Sequence, residues 1–264
     1  GGGAAKGFAH VGVIKALESQ GYKPDILAGT SVGSFVAALY AGGYDGFELQ
    51  RMAFDFKEST VSDWSLPDRG FLRGEALQEY VNRNLQNRPI EKLSRKLAIV
   101  ATDLQSGQQV VFERGDAGMA VRASSSVPGV FQPVRINGRE YVDGGLVSPV
   151  PIRVARSLGA DIVIAVDIST RASDKPVRDT IDLLLRTFAI MGNAIADAEL
   201  PQADVLVKPN IVQLSGADFQ SRHLAILEGE RAGMAAIPEL KRKIAERERR
   251  LREQAAKAPV GGAK

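Results

Sequence analysis

Apolar positions at the start of the chain follow first a helical and then a strand-like spacing. Over residues 7–20 they recur every three or four positions, which predicts a helix, while residues 25–28 form a short apolar run typical of a buried strand. A second helical pattern begins at Val32 and ends at the glycine pair Gly42-Gly43, which signals a helix stop. The strand and this helix are joined directly, through the pentapeptide GTSVG.

The alternation of short apolar runs and helical patterns continues to about residue 210. Turn signals at Ser106-Gly107 and Asn137-Gly138 predict two hairpins. Further strands are predicted at residues 96–104, 108–112, 140–142, 160–168 and 203–209. Alternating strands and helices are typical of an α/β domain, so we expect helices on both faces of a central, largely parallel sheet.

From about residue 217 the pattern changes to one long helix whose second half is strongly charged. The stretch ELKRKIAERERRLREQAAK carries both signs of charge. Its simplest interpretation is a solvated helix projecting from the domain; the alternative is a surface for anionic lipid or for a partner. We expect residues 1–264 to form one domain, with a core of about residues 1–210 and a charged tail of about residues 217–258.

Composition excludes several chemistries. The chain has no cysteine, which excludes disulfides, thiolate metal sites and a cysteine nucleophile. A net charge of only +3, without aromatic residues interleaved in a basic stripe, does not indicate nucleic-acid binding.

The sequence says little about where the protein acts. No apolar run reaches the roughly 18–20 residues that span a bilayer, so we expect a soluble segment, cytoplasmic or peripheral to a membrane. The chain opens without a methionine, which suggests that upstream residues have been trimmed and leaves any targeting segment unknown.

Ser31 stands at the pivot between the first strand and the second helix. In a G-x-S-x-G elbow the flanking glycines, here Gly29 and Gly33, relieve crowding so that the serine presents its hydroxyl above the sheet. Thr30 and Val32 complete this candidate nucleophile elbow. The alternative is an ordinary helix cap, in which the hydroxyl of Thr30 or Ser31 accepts a hydrogen bond from the first turn.

An activated serine needs a base, and the chain has only two histidines, His10 and His223. His10 falls among apolar residues of the first helix, and His223 lies near the start of the terminal helix, so neither is well placed. Asp143 is the better candidate, because it ends a strand and is followed by two glycines that leave room for its side chain to approach Ser31. The alternative for this DGG segment is a tight turn without chemistry.

Acyl transfer also needs hydrogen-bond donors for a developing oxyanion. The segment GGGAAKG at residues 1–7 places several unobstructed backbone amides at a helix start. It could equally be a phosphate-binding loop or a flexible terminus. A P-loop would carry Gly-Lys-Ser/Thr after the loop, which is absent.

The loop STVSDWSLPDRGFLRG at residues 59–74 carries apolar residues that look exposed. They either cover a site or pack locally, and local packing is the simpler interpretation. These residues are Trp64, Leu66, Phe71 and Leu72.

In their order along the chain, GGGAAKG, GTSVG and DGG resemble the patatin-like phospholipase family of the bacterial type. Three further stretches are similar to family segments: ATDLQSGQQVVF, AVRASSSVPGVFQPV and YVDGGLVSPVPIRVARSLGADIVIAVDI. The resemblance covers most of residues 1–170 and weakens beyond them.

The resemblance implies a three-layer α/β/α fold and a lipid acyl hydrolase with a Ser-Asp dyad. Ser31 matches the family's nucleophile and Asp143 its base. The family's glycine-rich oxyanion loop falls on Gly2, Gly3, Ala4, Ala5, Lys6 and Gly7, with Gly2, Gly3 and Ala4 as the expected oxyanion donors. Lysine and alanine replace residues more frequent in that loop. Alanine retains its amide, so we expect activity to survive provided that the local φ angle is negative.

The resemblance implies that the substrate is a phospholipid or another fatty-acyl ester and that the protein contacts a membrane peripherally. It implies no metal or organic cofactor. The oligomeric state is open. Two alternatives remain: an acyltransferase that uses the same acyl-enzyme, and a lipid-binding module without turnover. A scaffold that binds nucleic acid ranks below both.

Overall fold

The structure is a computed structural model that describes residues 1–57, 63, 72–169, 177–211, 213 and 220–257. Three of the four residues singled out in the 59–74 loop, Trp64, Leu66 and Phe71, lie outside these ranges. Leu72 lies within them, where it pairs with Phe131 in an isolated bridge and is partly buried.

The elements alternate between strands and helices, as the sequence pattern predicts. The helices are α1 (Phe8–Ser19), α2 (Val32–Gly42), α3 (Gly46–Asp55), α4 (Glu75–Asn84), α5 (Ala117–Ser124), α6 (Ile152–Ser157), α7 (Thr180–Glu199) and α8 (Arg222–Lys257). The strands are β1 (Ile26–Thr30), β2 (Lys96–Asp103), β3 (Gln109–Phe112), β4 (Val134–Ile136), β5 (Arg139–Asp143), β6 (Ile164–Val166) and β7 (Val205–Val207). Short 3-10 turns cover Ala4–Gly7, Ile90–Lys92, Gly144–Leu146 and Leu200–Gln202.

The central sheet has the order β1-β2-β5-β4, with β3 also paired to β2, and β6 and β7 form a second, two-stranded sheet. The pairs β1–β2 and β6–β7 are parallel. The β2–β3, β2–β5 and β4–β5 pairs are antiparallel. The predicted α/β fold is confirmed. Its central sheet contains more antiparallel strand pairs than the apolar pattern of the strands indicates.

The antiparallel pairing follows from the predicted turns. Asn137 and Gly138 both have positive φ, 51° and 81°, which is the conformation of a two-residue hairpin turn. Such a short connection can join only antiparallel strands. Gly107, with φ 69°, makes the corresponding turn between β2 and β3.

The terminal helix does not simply project from the domain. The first half of α8 packs along α1, burying Ala225, Ile226, Ile237 and Leu240. Contact is close because a Cβ added to Gly12 would lie 1.9 Å from the Ile226 carbonyl oxygen, and one added to Gly229 would lie 2.0 Å from that of Ala9. The solvated-helix interpretation therefore holds only for the exposed second half.

None of the helices in the described ranges is long and apolar enough to cross a membrane.

Candidate active site

Ser31 occupies a strained turn between β1 and α2. Its φ and ψ angles are 54° and −129°, a region that side-chain-bearing residues rarely adopt. Gly29 and Gly33 are required by close approach: an added Cβ would lie 2.5 Å from Ser34 Cα at Gly29, and 2.7 Å from the Gly1 carbonyl oxygen at Gly33. The strand–turn–helix context predicted for an elbow is therefore present.

The helix-cap alternative finds no support in the described residues. The Ser31 side chain makes no capping hydrogen bond to the first turn of α2. Thr30, which is fully buried, donates its hydroxyl to the Ser148 carbonyl oxygen at 2.8 Å instead. Neither hydroxyl is used to satisfy the helix start.

Ser124 holds the backbone of Ser31 in place. The Ser31 amide donates to Ser124 Oγ at 2.8 Å, and Ser124 Oγ donates to the Val100 carbonyl oxygen at 2.5 Å. Ser124 is fully buried at the end of α5. No motif in the sequence points to a role for Ser124, and its signal is limited to the serine run that follows a helical pattern.

Asp143 lies at the end of β5, and its side chain interacts with that of Ser31. Its Oδ1 accepts a hydrogen bond from the Gly145 amide at 2.7 Å, so the predicted tight turn does form. An added Cβ at Gly144 would lie 2.3 Å from the Val100 carbonyl oxygen, which explains why glycine follows. The turn brings the aspartate to Ser31 rather than excluding it from the site.

The environment of Asp143 makes its carboxylate more basic than an exposed one. Burial raises the pKa of Asp143 to about 6, against the opposing effect of hydrogen bonds from Gly145 and Ser31. At neutral pH this carboxylate is still mostly ionised, and it is a stronger base than a carboxylate with the ordinary pKa of 3.8.

The two histidines differ in burial: His10 is buried and His223 is exposed. His10 Nε2 lies 2.8 Å from the Gly1 carbonyl oxygen, and burial lowers the pKa of His10 to about 3, so the ring is neutral. His223 is exposed on α8. The hydrogen-bond contacts of His10 in the described part of the chain are with Gly1.

The glycine-rich segment runs beside Ser31. An added Cβ at Gly2 would lie 3.3 Å from Ser31 Cβ, and one at Gly3 would lie 2.9 Å from the Ile168 carbonyl oxygen. The Gly2 amide donates to the Pro149 carbonyl oxygen at 3.0 Å. Gly2 is therefore not a suitable oxyanion donor in this conformation, whereas Gly3 and Ala4 remain candidates.

Ala4 departs from the expected backbone conformation. Activity is expected to survive the replacement of glycine by alanine if the local φ is negative, but Ala4 has φ 50°, so this condition is not met. The left-handed region costs a residue with a Cβ on the order of 1–2 kcal/mol. The 3-10 turn Ala4–Gly7 that starts there leads straight into α1.

An apolar cavity of about 330 Å³ opens beside Ser31. Its walls come from the 3-10 turn at Ala4–Gly7, from α1 to α4 and from the loop after α5. Phe35, Phe56 and Tyr80 form an aromatic cluster in the wall, with ring centroids 5.5–5.9 Å apart. Leu72 also lines the cavity, so this one residue of the 59–74 loop lies at the site.

Within the described ranges there is no group of three or more His, Cys, Asp or Glu side chains that could hold a metal ion.

Comparison with solved structures finds a similar fold in VipD from Legionella pneumophila. The TM-score is 0.61 at 14% sequence identity, and the match covers 90% of this chain and 65% of that chain. The chain therefore has an α/β fold similar to that of VipD. A search of family models matches residues 1–156 to the family described as patatin-like phospholipase. The chain belongs to the patatin-like phospholipase family, and the resemblance seen in the sequence is confirmed.

Relatives of known sequence agree with this assignment. An uncharacterised NTE family protein of Mycobacterium bovis is 36% identical over 182 residues, which are 68% of this chain and 50% of that protein. Patatin-like phospholipase domain-containing protein 6 of Homo sapiens is 34% identical over 179 residues, which are 65% of this chain and 13% of that protein. The chain spans half or less of the length of these relatives. Family membership supports a lipid hydrolase in general terms.

Proposed function

We propose that this chain hydrolyses carboxylic esters of fatty acids, as a phospholipase A or lysophospholipase, with Ser31 as nucleophile and Asp143 as base. The observation that carries the proposal is the interaction of a buried carboxylate of raised pKa with a serine in a strained elbow, at the mouth of an apolar cavity. Perturbed titratable groups in a cleft are typical of catalytic sites.

In the proposed first step, Asp143 accepts the Ser31 proton while Oγ attacks the ester carbonyl carbon. The carbonyl oxygen becomes an oxyanion, to which the amides of Gly3 and Ala4 donate. The carbon–oxygen bond to the alcohol then breaks, Asp143 returns the proton to the leaving alkoxide, and the acyl group stays on Ser31. Water attacks this acyl-enzyme with Asp143 again as base, which releases the fatty acid and regenerates the serine.

Contact with a lipid surface belongs to the same proposal, because such substrates reside in membranes or aggregates. The helix α7 packs against the loops of the site: an added Cβ at Gly129 would lie 2.9 Å from Leu184 Cδ2. On its outer side α7 exposes large apolar residues, with Leu183 56%, Ile190 59% and Met191 53% exposed. An exposed apolar helix beside a site entrance favours peripheral contact with lipid.

We also infer that residues 1–264 act as one catalytic domain. The packing of α8 on α1, the helix that follows the glycine-rich segment, supports this inference.

The first test is labelling with an alkyl fluorophosphonate, in which the Ser31 Oγ–P bond forms, the P–F bond breaks and fluoride leaves. We expect an adduct on Ser31 in the wild type, none in Ser31→Ala, and slow labelling in Asp143→Asn. Ser106→Ala, which changes an exposed serine, is the matched control and should label as the wild type does.

Labelling of Ser31→Ala at the wild-type rate would refute the assignment of the nucleophile. Binding of acyl lipid to folded wild-type protein without any adduct would instead favour a non-catalytic lipid-binding module. If the adduct forms, product analysis with added alcohol acceptors separates hydrolysis from acyl transfer.

A further inference from the structure

The cavity beside Ser31 is lined mostly by apolar side chains and extends along α2. It starts at Ser31 and follows α2 past Phe35 and Val36 to Leu39. Leu39 comes eight residues after Ser31, which at about 1.5 Å per residue places it roughly 12 Å along the helix.

Residues of α2 and α3 close the far end of the cavity. Leu39 and Leu49 are each only 3% exposed and belong to one buried cluster, against which Met52 also packs. All three line the cavity. A group that enters from Ser31 therefore meets this wall, which we call the floor.

The length of this path limits the size of that group. A fully extended backbone advances roughly 3.5 Å over three bonds, or about 1.2 Å per bond, so a path of about 12 Å corresponds to a chain of about ten carbons. The cavity of about 330 Å³ has room for such a chain.

We propose that this cavity is the acyl-chain subsite, and that its floor at Leu39, Leu49 and Met52 selects acyl chains of about ten carbons over much longer ones. The inference rests on the proposed function, because the chain must be joined to the carbonyl that Ser31 attacks. It goes further by naming a class of substrate, medium-chain acyl esters, and the residues that set the chain length.

The test uses three ethyl fluorophosphonates that carry a butyl, a decyl or a hexadecyl chain, and it compares their second-order rates of reaction with Ser31. Burial of each methylene favours binding by about 0.8 kcal/mol, equivalent to about fourfold, so the decyl compound should react at least about 100-fold faster than the butyl compound. The hexadecyl compound should gain nothing over the decyl compound, since its extra methylenes do not fit.

Variants of the floor should shift this preference in opposite directions. In Leu49→Trp the larger side chain fills the end of the cavity, and we expect the decyl-to-butyl rate ratio to fall about tenfold or more. In Leu49→Ala the smaller side chain deepens the cavity, and the reaction rate of the hexadecyl compound should rise relative to that of the decyl compound. Phe54→Trp, on the exposed side of α3, is the control and should leave all three rates unchanged.

The design separates the inference from the proposed function. Reaction of none of the compounds with folded wild type would refute the proposed function itself. Reaction with all three at similar rates, or an unchanged decyl-to-butyl ratio in Leu49→Trp, would refute the subsite and leave the nucleophile intact. If Leu49→Trp loses butyl labelling through misfolding, Met52→Trp provides the same test at a less buried position.

Discussion

Replacing Asp143 with asparagine should remove catalysis and at the same time stabilise the fold. The pKa of Asp143 in the folded protein is about 6, above its ordinary value of 3.8, because the carboxylate is buried. A carboxyl with a raised pKa binds its proton more tightly in the folded than in the unfolded state. Its ionisation therefore lowers the free energy of unfolding as the pH rises through about 6.

The size of the effect follows from the shift. The difference between 3.8 and about 6 is roughly two pKa units, and at 1.36 kcal/mol per unit it corresponds to about 3 kcal/mol. The amide of the variant still offers an oxygen to Gly145 but never ionises, so it avoids this penalty. For chains of similar size, 1 kcal/mol shifts Tm by about 2–4 °C, so Tm should rise by up to about 6–12 °C.

The assay is thermal and denaturant unfolding of wild type and Asp143→Asn at about pH 8 and about pH 4. The variant should be more stable at the higher pH, and most of the difference should be lost at the lower pH, where the carboxyl of the folded wild type is protonated. Asp103→Asn is a control for which the opposite change in stability is expected, because hydrogen bonds from Arg139 and Ser106 lower the pKa of Asp103. Neutralising that residue should destabilise the protein at about pH 8.

An Asp143→Asn variant that is no more stable than wild type at about pH 8, or whose gain is the same at both pH values, would refute the reasoning. The outcome would mean that the carboxylate is not desolvated as the structure indicates.

Further predictions concern the same site. Ester hydrolysis by the wild type should rise with pH and reach half its maximum near pH 6, because Asp143 must be ionised to accept the Ser31 proton; a flat profile from pH 5 to 8 would contradict this. Ser124→Ala removes the acceptor of the Ser31 amide and should lower kcat about tenfold with little change in KM, measured by steady-state kinetics. Gly3→Ala forces a Cβ to 2.9 Å from the Ile168 carbonyl oxygen and should lower kcat by about 10- to 100-fold, by displacing an oxyanion donor. Unchanged kcat in either variant would remove that residue from the site.

The elements that the sequence predicts well are those determined by residues that are adjacent in the chain. The elbow around Ser31 can be recognised from a strand, two glycines and a helix that are adjacent in the chain. The hairpin turns at Gly107 and Asn137-Gly138 are likewise set by residues that tolerate positive φ. Predicted strand boundaries were less accurate: the apolar run at residues 160–168 yields only Ile164–Val166 as paired strand.

What the sequence does not reveal depends on contacts between distant parts of the chain. The hydrogen bond between the Ser31 amide and Ser124 joins residues 93 positions apart, and no periodicity predicts such a partner. The positive φ of Ala4 goes against the preference of alanine, so the residue type does not predict it. The hydrogen bond from the Gly2 amide to the Pro149 carbonyl oxygen also joins residues that are distant in the chain. It removes Gly2 from the candidate oxyanion donors.

The close approach of α1 and α8 at Gly12 and Gly229 has a consequence for synthesis of the protein on the ribosome. The glycine-rich segment is continuous with α1, but the helix that packs against α1 is made roughly 200 residues later, on the order of ten seconds or more at about 5–20 residues per second. During that interval the nascent chain carries Ser31 without the packing of α8 on α1. The order of translation therefore delays completion of the α1–α8 contact until α8 has emerged.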